Sequence, residues 1–488
     1  MKTYSNLVGY FTGISWIVSP YSIPFVMYHT GMVAGLLTLL VILVASFIPV
    51  MWILEIMCRA EALETIEKRK TMADKEYGRL NLTEVMSFCK IRTGRRFELQ
   101  ELCTLFVGKP AGIVCTVFVI VYVCNWTNIA ISATAIATNV PVSDHGTFLG
   151  RCTDEDFHFR LHPVGTCWNT YLLSVLLVGV IGLAISLTKL AEMSILQTAI
   201  AIVRFATFGA MIIYSVVTAI EGKDEKDDGK VPWFQFSFHG LVAAIPTMVY
   251  AHTSVVALPS ITNPVDNKNG LTKMWMGIFV TASSFCGILG LTVAIRFKCH
   301  VNEIASLNWV PLSDSSSTFV KVLSYWIVLY PSLEQTIQYG MGSIILANTV
   351  ESQLFGGDRQ FARLDQSVHR FLWAIIRLIP SIFVSNLVTE FKYLSLVLFF
   401  LVYFIPGLLQ YRSRKRWMAE IKTYTATTLI DLQQEDATES TALIGDKVAI
   451  IDDTPYSGWY SRPVVILVVQ LVAFLAFGLT VTGLAMSD

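Results

Sequence analysis

The sequence predicts an all-α polytopic membrane protein, and three observations predict it. Hydrophobic residues make up 54% of the 488 residues and charged residues only 15%, against about 25% charged in an ordinary soluble domain. Thirty-six Lys and Arg are balanced by thirty-six Asp and Glu, so there is no basic footprint of the kind that binds nucleic acid. Intrinsic disorder, which needs low hydrophobicity and high charge, is excluded by the same numbers. Finally, apolar stretches recur at about the 20-residue length that a bilayer core of roughly 30 Å demands.

About eleven stretches meet that length: 6–28, 32–58, 110–137, 169–187, 192–220, 236–262, 271–297, 317–348, 366–387, 389–411 and 462–485. They are long and carry scattered Gly and Pro, a helical pattern rather than the alternation of a β-barrel strand. The first starts near Met1 without a small-residue cleavage site and reads as a span rather than a removed signal peptide. The chain 1–488 is thus expected to be a single transmembrane domain with three notable connections.

Connection 59–109 holds eleven Lys and Arg, and seven more follow the tenth stretch between Arg412 and Arg462; the 138–168 loop has only Arg151 and Arg160. Basic residues stay on the cytosolic side. The N-terminus is therefore expected in the cytosol and the C-terminus in the lumen or outside the cell. Cys152 and Cys167 both fall in the non-cytosolic 138–168 loop, where a disulfide persists. Asn81 with Glu84 reads as a helix cap, and 97–108 as an amphipathic helix leading into the third span. The charged run from Glu221 to Asp228 reads as a solvated turn.

Two spans look interrupted. The first contains Gly13, Ser15, Ser19, Pro20, Ser22 and Pro24; the sixth contains Pro246, Thr247, Tyr250, His252, Thr253 and Ser254. Freed backbone groups inside a membrane must be satisfied by protein, ions or ligand. Spans one and six, five helices apart, are where an inverted five-helix repeat places its discontinuous helices.

At these residues the sequence resembles the amino acid/auxin permease superfamily. Pro24 with Gly31 resembles its first-helix signature, and Pro246-Thr247-Met248 with His252-Thr253-Ser254-Val255 its sixth. Leu196-Gln197, Arg204-Phe205, Phe208, Met211 and Leu258-Pro259-Ser260 are similar to the transmembrane protein 104 branch. The resemblance implies a LeuT-type 5+5 inverted repeat plus one extra C-terminal helix. The superfamily's usual Gly-x-Gly pair falls on Ile17 and Ser19 if Pro24 is the anchor, or on Gly13 and Ser15 if Pro20 is.

In that architecture a half-helix N-terminus faces the substrate's carboxylate and freed carbonyls face its ammonium. The resemblance then puts Ser15, Ser19, Thr247 and Tyr250 around an amino acid substrate, with Asn125 and Tyr122 approaching from the third span. Each hydroxyl has the alternative of bonding its own helix.

Three charges lie deep in apolar surroundings: Arg204, Glu334 and Arg377. A lone charge there costs at least about 2.5 kcal/mol, so such groups pair or line a wet cavity. The resemblance places Arg204 and Glu334 near the family's sodium site, with Glu334 where a Thr or Ser ligand is usual. This favours H+ as the coupling ion, with Na+ the alternative; a fixed ion pair of Glu334 with either arginine stays open. His252 is a second proton candidate.

No metalloprotease, phosphate-loop or nucleophile-elbow motif occurs, so neither an enzyme, a cofactor nor a metal is expected. Glu439, Leu443 and Ile444 match an acidic dileucine pattern in the polar 413–460 loop and imply an endosomal sorting adaptor as partner. The expectation is a proton-coupled secondary transporter of small neutral amino acids in the endolysosomal or plasma membrane. The rivals are an amino-acid sensor signalling through 59–109 and 413–460, and a structural subunit without transport.

Overall fold

In lipid every backbone N–H and C=O must find a partner within the protein, which makes helices of long uncharged runs. A computed structural model describes residues 3–17, 20–73, 88–91, 97–124, 127–139, 142–144, 147–150, 166–188, 190–220, 231–310, 317–355, 363–383, 387–433 and 454–485. Most of these are helical. The first apolar segment forms two helices, α1 (Asn6–Ile17) and α2 (Ile23–Thr30), with a 3-10 turn at Pro20–Ser22 between them. Pro24 sits in the first turn of α2, where a missing N–H costs nothing. There follow α3 (Met32–Ala73), α4 (Leu99–Phe106), α5 (Lys109–Val123) and α6 (Thr127–Asn139). A short antiparallel hairpin, β1 (Val142–Asp144) and β2 (Thr147–Gly150), leads to α7 (Thr166–Ser186) and α8 (Leu190–Ile220).

The sixth apolar segment is also divided, into α9 (Phe238–Ala251) and α10 (Leu258–Thr262). Pro246 lies inside α9, and the interruption comes after it, at 252–257. Then come α11 (Leu271–Phe297), α12 (Thr318–Phe355), α13 (Arg363–Leu378) and α14 (Leu387–Phe399). A π turn at Phe400–Phe404 joins α14 to α15 (Ile405–Gln433), and α16 (Pro463–Ala485) ends the fold.

Among the described residues, seven helical stretches are long and apolar enough to cross a membrane: Met32–Lys70, Lys109–Asn139, Cys167–Ser186, Met193–Ile220, Lys268–His300, Tyr393–Thr423 and Pro463–Ala485. Their outer faces carry exposed Leu37, Leu40, Leu173, Leu176, Leu467 and Phe474. So much open apolar surface suits a lipid bilayer as the surrounding solvent.

The helices pack in two groups. α6, α7, α12 and α13 close on one another around Ala133, Tyr171, Val175, Val178, Tyr339 and Ala374. The two interrupted segments pack with α3 and α11 in a second, larger core that reaches α14 and α16. α8 touches α1 and α11 on one side and α12 on the other.

The interrupted segments meet half against half. α1 packs on α10: the Tyr4 hydroxyl donates to the Ile261 carbonyl at 2.6 Å, and Tyr4 N–H donates to the Pro264 carbonyl at 3.0 Å. At the other end α2 packs on α9, and Ser237 N–H donates to the Thr30 carbonyl at 3.2 Å. The approach needs glycine. A Cβ on Gly240 would lie 2.2 Å from the His29 carbonyl oxygen. Gly31 has φ +98°, and a Cβ there would lie 1.8 Å from the Gln235 carbonyl oxygen.

On the side expected to be cytosolic, α3 and α15 run past their apolar parts and are joined by a Lys70–Glu420 ion pair. The amphipathic stretch at 97–108 contains α4, which buries Leu99, Leu102, Cys103 and Phe106. Cys167 is disulfide-bonded, whereas its expected partner Cys152 lies outside the described residues. So do Asn81, Glu84, the run 221–228 and the dileucine residues Glu439, Leu443 and Ile444.

Candidate functional site

A helix that stops inside the fold leaves its last four carbonyls without intrahelical partners. For α1, which ends at Ile17, those include Ile14 and Ser15. Arg204, on α8, satisfies both: Nη1 donates to the Ile14 carbonyl at 2.7 Å and Nη2 to the Ser15 carbonyl at 2.9 Å. Nη2 also donates to Glu334 Oε1, on α12, in an ion pair whose side chains are 1% and 0% exposed. The planar guanidinium fork makes this possible, since a lysine has one point charge to offer.

Glu334 is held from three sides. The Tyr21 hydroxyl, in the turn between α1 and α2, donates to Oε2 at 2.5 Å. Gln338, one turn beyond Glu334, donates both to Oε1 at 3.3 Å and to the Ser15 carbonyl at 3.1 Å. Phe208 stands edge-on to both Tyr21 and Tyr330, at 6.2 and 6.1 Å between ring centroids, and walls this polar cluster with aromatic surface. One carboxylate and one guanidinium thus tie together α8, α12 and both sides of the first interruption.

Next to this cluster lies a small cavity, with about 470 Å³ of non-atom space when its open mouth is included. Three parts of the chain converge on it. Trp16 and Ile17 come from the end of α1, Tyr122, Val123 and Asn128 from the junction of α5 and α6, and Tyr250 and Thr253 from the end of α9. Gln338 and Gly342 of α12 and Arg377 of α13 complete the lining.

Among the described residues Arg377 is the one charged residue of that lining. It is 2% exposed. Its Nη1 donates to the Tyr339 carbonyl and, at 3.2 Å, to Ser343 Oγ, and its guanidinium carbon lies 5.0 Å from the Tyr339 ring centroid. Among the described residues no carboxylate pairs with it. Of the two partners the sequence left open for Glu334, the structure pairs it with Arg204.

The other expected site residues divide. Tyr250 lines the cavity, and its hydroxyl reaches Thr127 at 3.2 Å and Asn128 at 3.4 Å. Ser15 and Thr247 turn their hydroxyls back to their own helices, donating to the Thr12 carbonyl at 2.8 Å and the Ala243 carbonyl at 2.9 Å. Ser15 takes part through its backbone carbonyl. His252 bonds at both ring nitrogens, to the Met248 carbonyl and to Ser283 Oγ, each at 2.8 Å, and does not line the cavity. Ser19 and Asn125 lie outside the described residues. Among the described residues no group of three His, Cys, Asp or Glu is placed to hold a metal.

Sequence reasoning gave no role to Gln338 or Asn128, and named Thr253 only as part of the sixth-span interruption. Gln338 was findable, since it lies four residues after Glu334 and so on the same helix face. Asn128 lies in the first turn of α6, in an apolar run with no charge or Pro to mark it.

No protein-family model matches the chain. It is similar to a Drosophila melanogaster protein named transmembrane protein 104 homolog, 22% identical over 464 residues, which cover 85% of this chain and 89% of the relative. A Caenorhabditis elegans protein of the same name is 21% identical over 353 residues, 71% and 68% of the two chains. Mouse transmembrane protein 104 is 20% identical over 364 residues, 72% and 69%. With the apolar helices described above, these relatives mark the chain as a multi-pass membrane protein.

Proposed function

We propose that this protein is a proton-coupled secondary transporter of small neutral amino acids. It would belong to the amino acid/auxin permease superfamily, with eleven spans in a LeuT-type inverted repeat plus one C-terminal helix. The observation that carries the reading is the pairing of two interrupted segments, α1/α2 and α9/α10, half against half beside a lined cavity. Alternating access follows by resemblance: the group of α6, α7, α12 and α13 holds while the interrupted segments rock with α3 and α11.

Proton coupling is favoured over sodium by what fills the first interruption. The Ile14 and Ser15 carbonyls, which a sodium ion would need, are taken by the Arg204 guanidinium. Glu334, bonded to Arg204, Tyr21 and Gln338, is the group that would accept a proton. Protonation removes its charge from Arg204, loosens the grip on Ile14 and Ser15, and frees α1 to move.

The test is uptake of a labelled neutral amino acid pool into proteoliposomes under an inward proton gradient. Gradient-driven accumulation that Glu334→Gln makes indifferent to pH supports the reading. Accumulation driven by sodium alone would replace the coupling ion, and binding without uptake under either gradient would leave a sensor. The orientation expected from the basic loops puts Glu439, Leu443 and Ile444 in the cytosol, where a sorting adaptor reaches them. Leu443→Ala with Ile444→Ala should then move a tagged protein to the cell surface; an unchanged distribution removes the endolysosomal assignment.

A further inference from the structure

We infer that Arg377 is the anion-binding residue of the cavity, and that the ligand's carboxylate sits on this side chain rather than on a helix terminus. The inference rests on the transporter reading only for why a ligand enters; which ligand group is indispensable follows from the lining itself.

Three observations carry it. First, Arg377 is the sole charge in the lining, is 2% exposed and has no carboxylate partner among the described residues. A buried cation in that position is completed by an anion from outside. Second, only Nη1 is engaged by protein acceptors, and Nε has none. The remaining edge of the fork has the geometry that accepts a carboxylate through two parallel hydrogen bonds. Third, the neighbourhood is shaped around the guanidinium. Its Tyr339 anchor fixes one end, and a Cβ on Gly342 would lie 2.6 Å from Nη1.

The opposite group of an amino acid finds no equivalent. The lining contains no carboxylate, and the α1 carbonyls of Ile14 and Ser15 are already bound by Arg204 and Gln338. What remains for an ammonium is uncharged: Asn128, the Tyr250 hydroxyl and the Trp16 and Ile17 carbonyls at the end of α1. The site therefore discriminates by carboxylate first, and a small carboxylate lacking the amino group is also a ligand.

The experiment uses the purified full chain and thermal stabilisation by three matched panels: neutral L-amino acids from glycine to leucine, the corresponding carboxylic acids, and the corresponding amines. The expected result is saturable stabilisation by members of the first two panels and at least about tenfold weaker binding of every amine. Arg377→Gln should abolish stabilisation by both carboxylate panels, and Arg377→Lys should retain part of it. Amines binding as well as carboxylates would overturn the inference, as would no stabilisation by any carboxylate or unchanged binding to Arg377→Gln. Should Arg377→Gln fail to fold, the wild-type panels still decide. Uptake is read separately: carboxylate binding without uptake removes the transporter and leaves Arg377 standing, while uptake unaffected by Arg377→Gln does the reverse.

Discussion

Two buried ion pairs in this molecule are built from the same chemistry and do different things. Glu55 and Arg59 lie one turn apart on α3, their side chains 0% and 1% exposed, at 2.8 Å. Gln410 bonds both of them, Ser413 accepts from Arg59, and the Ser461 hydroxyl donates to Glu55. Both members of that pair stand on a single helix, and α15 and the turn before α16 close around it. Arg204 and Glu334 instead stand on different helices, and Arg204 also donates to the carbonyls of a third that has stopped. The first pair survives any motion that leaves α3 intact. The second exists only while α8, α12 and the end of α1 keep their relative positions.

The largest effect expected from this contrast is on Glu334→Ala, which leaves Arg204 buried without its counter-charge. Breaking a buried pair from one side costs about 3–5 kcal/mol, read as a fall in the thermal unfolding temperature of the purified protein. The two glutamates should then separate by function. Glu55→Gln is expected to lower stability while the pH profile of uptake keeps its shape; Glu334→Gln is expected to flatten that profile. Equal flattening by both variants would dissolve the distinction.

A smaller effect tests the contact that keeps the interrupted halves together. Gly240→Ala places a methyl 2.2 Å from the His29 carbonyl oxygen, so α2 and α9 must separate, at a cost of about 1–3 kcal/mol. Because this contact lies away from the Arg204 pair, binding of ligand to the folded fraction should persist. The smallest effect belongs to His252→Asn, which forfeits one or both of two neutral hydrogen bonds, about 1 kcal/mol each. Its uptake profile against pH should match wild type; a displaced profile would restore His252 as a proton carrier.

What the sequence revealed and what it hid have physical reasons. The two interrupted segments were legible because Pro20, Pro24 and the hydroxyls of Thr253 and Ser254 depart from helical pattern, although Pro246 itself stays inside α9. Arg204, Glu334 and Arg377 stood out because a charge in an apolar run is costly wherever it points. Which arginine takes the glutamate was not legible, since that depends on how α8, α12 and α13 are placed across more than a hundred residues of chain. Ser15 and Thr247 were read by side chain, yet their hydroxyls bond the preceding turn, and Ser15 acts through a carbonyl that every residue possesses. Nothing in residue type marks a backbone group for service.

The order of the chain adds a constraint on how the protein is made. Arg204 precedes Glu334 by 130 positions. At about 5–20 residues per second of synthesis, its guanidinium enters the bilayer roughly 6 to 26 seconds before the carboxylate exists. The carbonyls of Ile14 and Ser15, synthesised earlier still, are the acceptors available during that interval. The stopped end of the first helix is thus made before the arginine, and it presents carbonyls that a continuous helix would hold in its own hydrogen bonds.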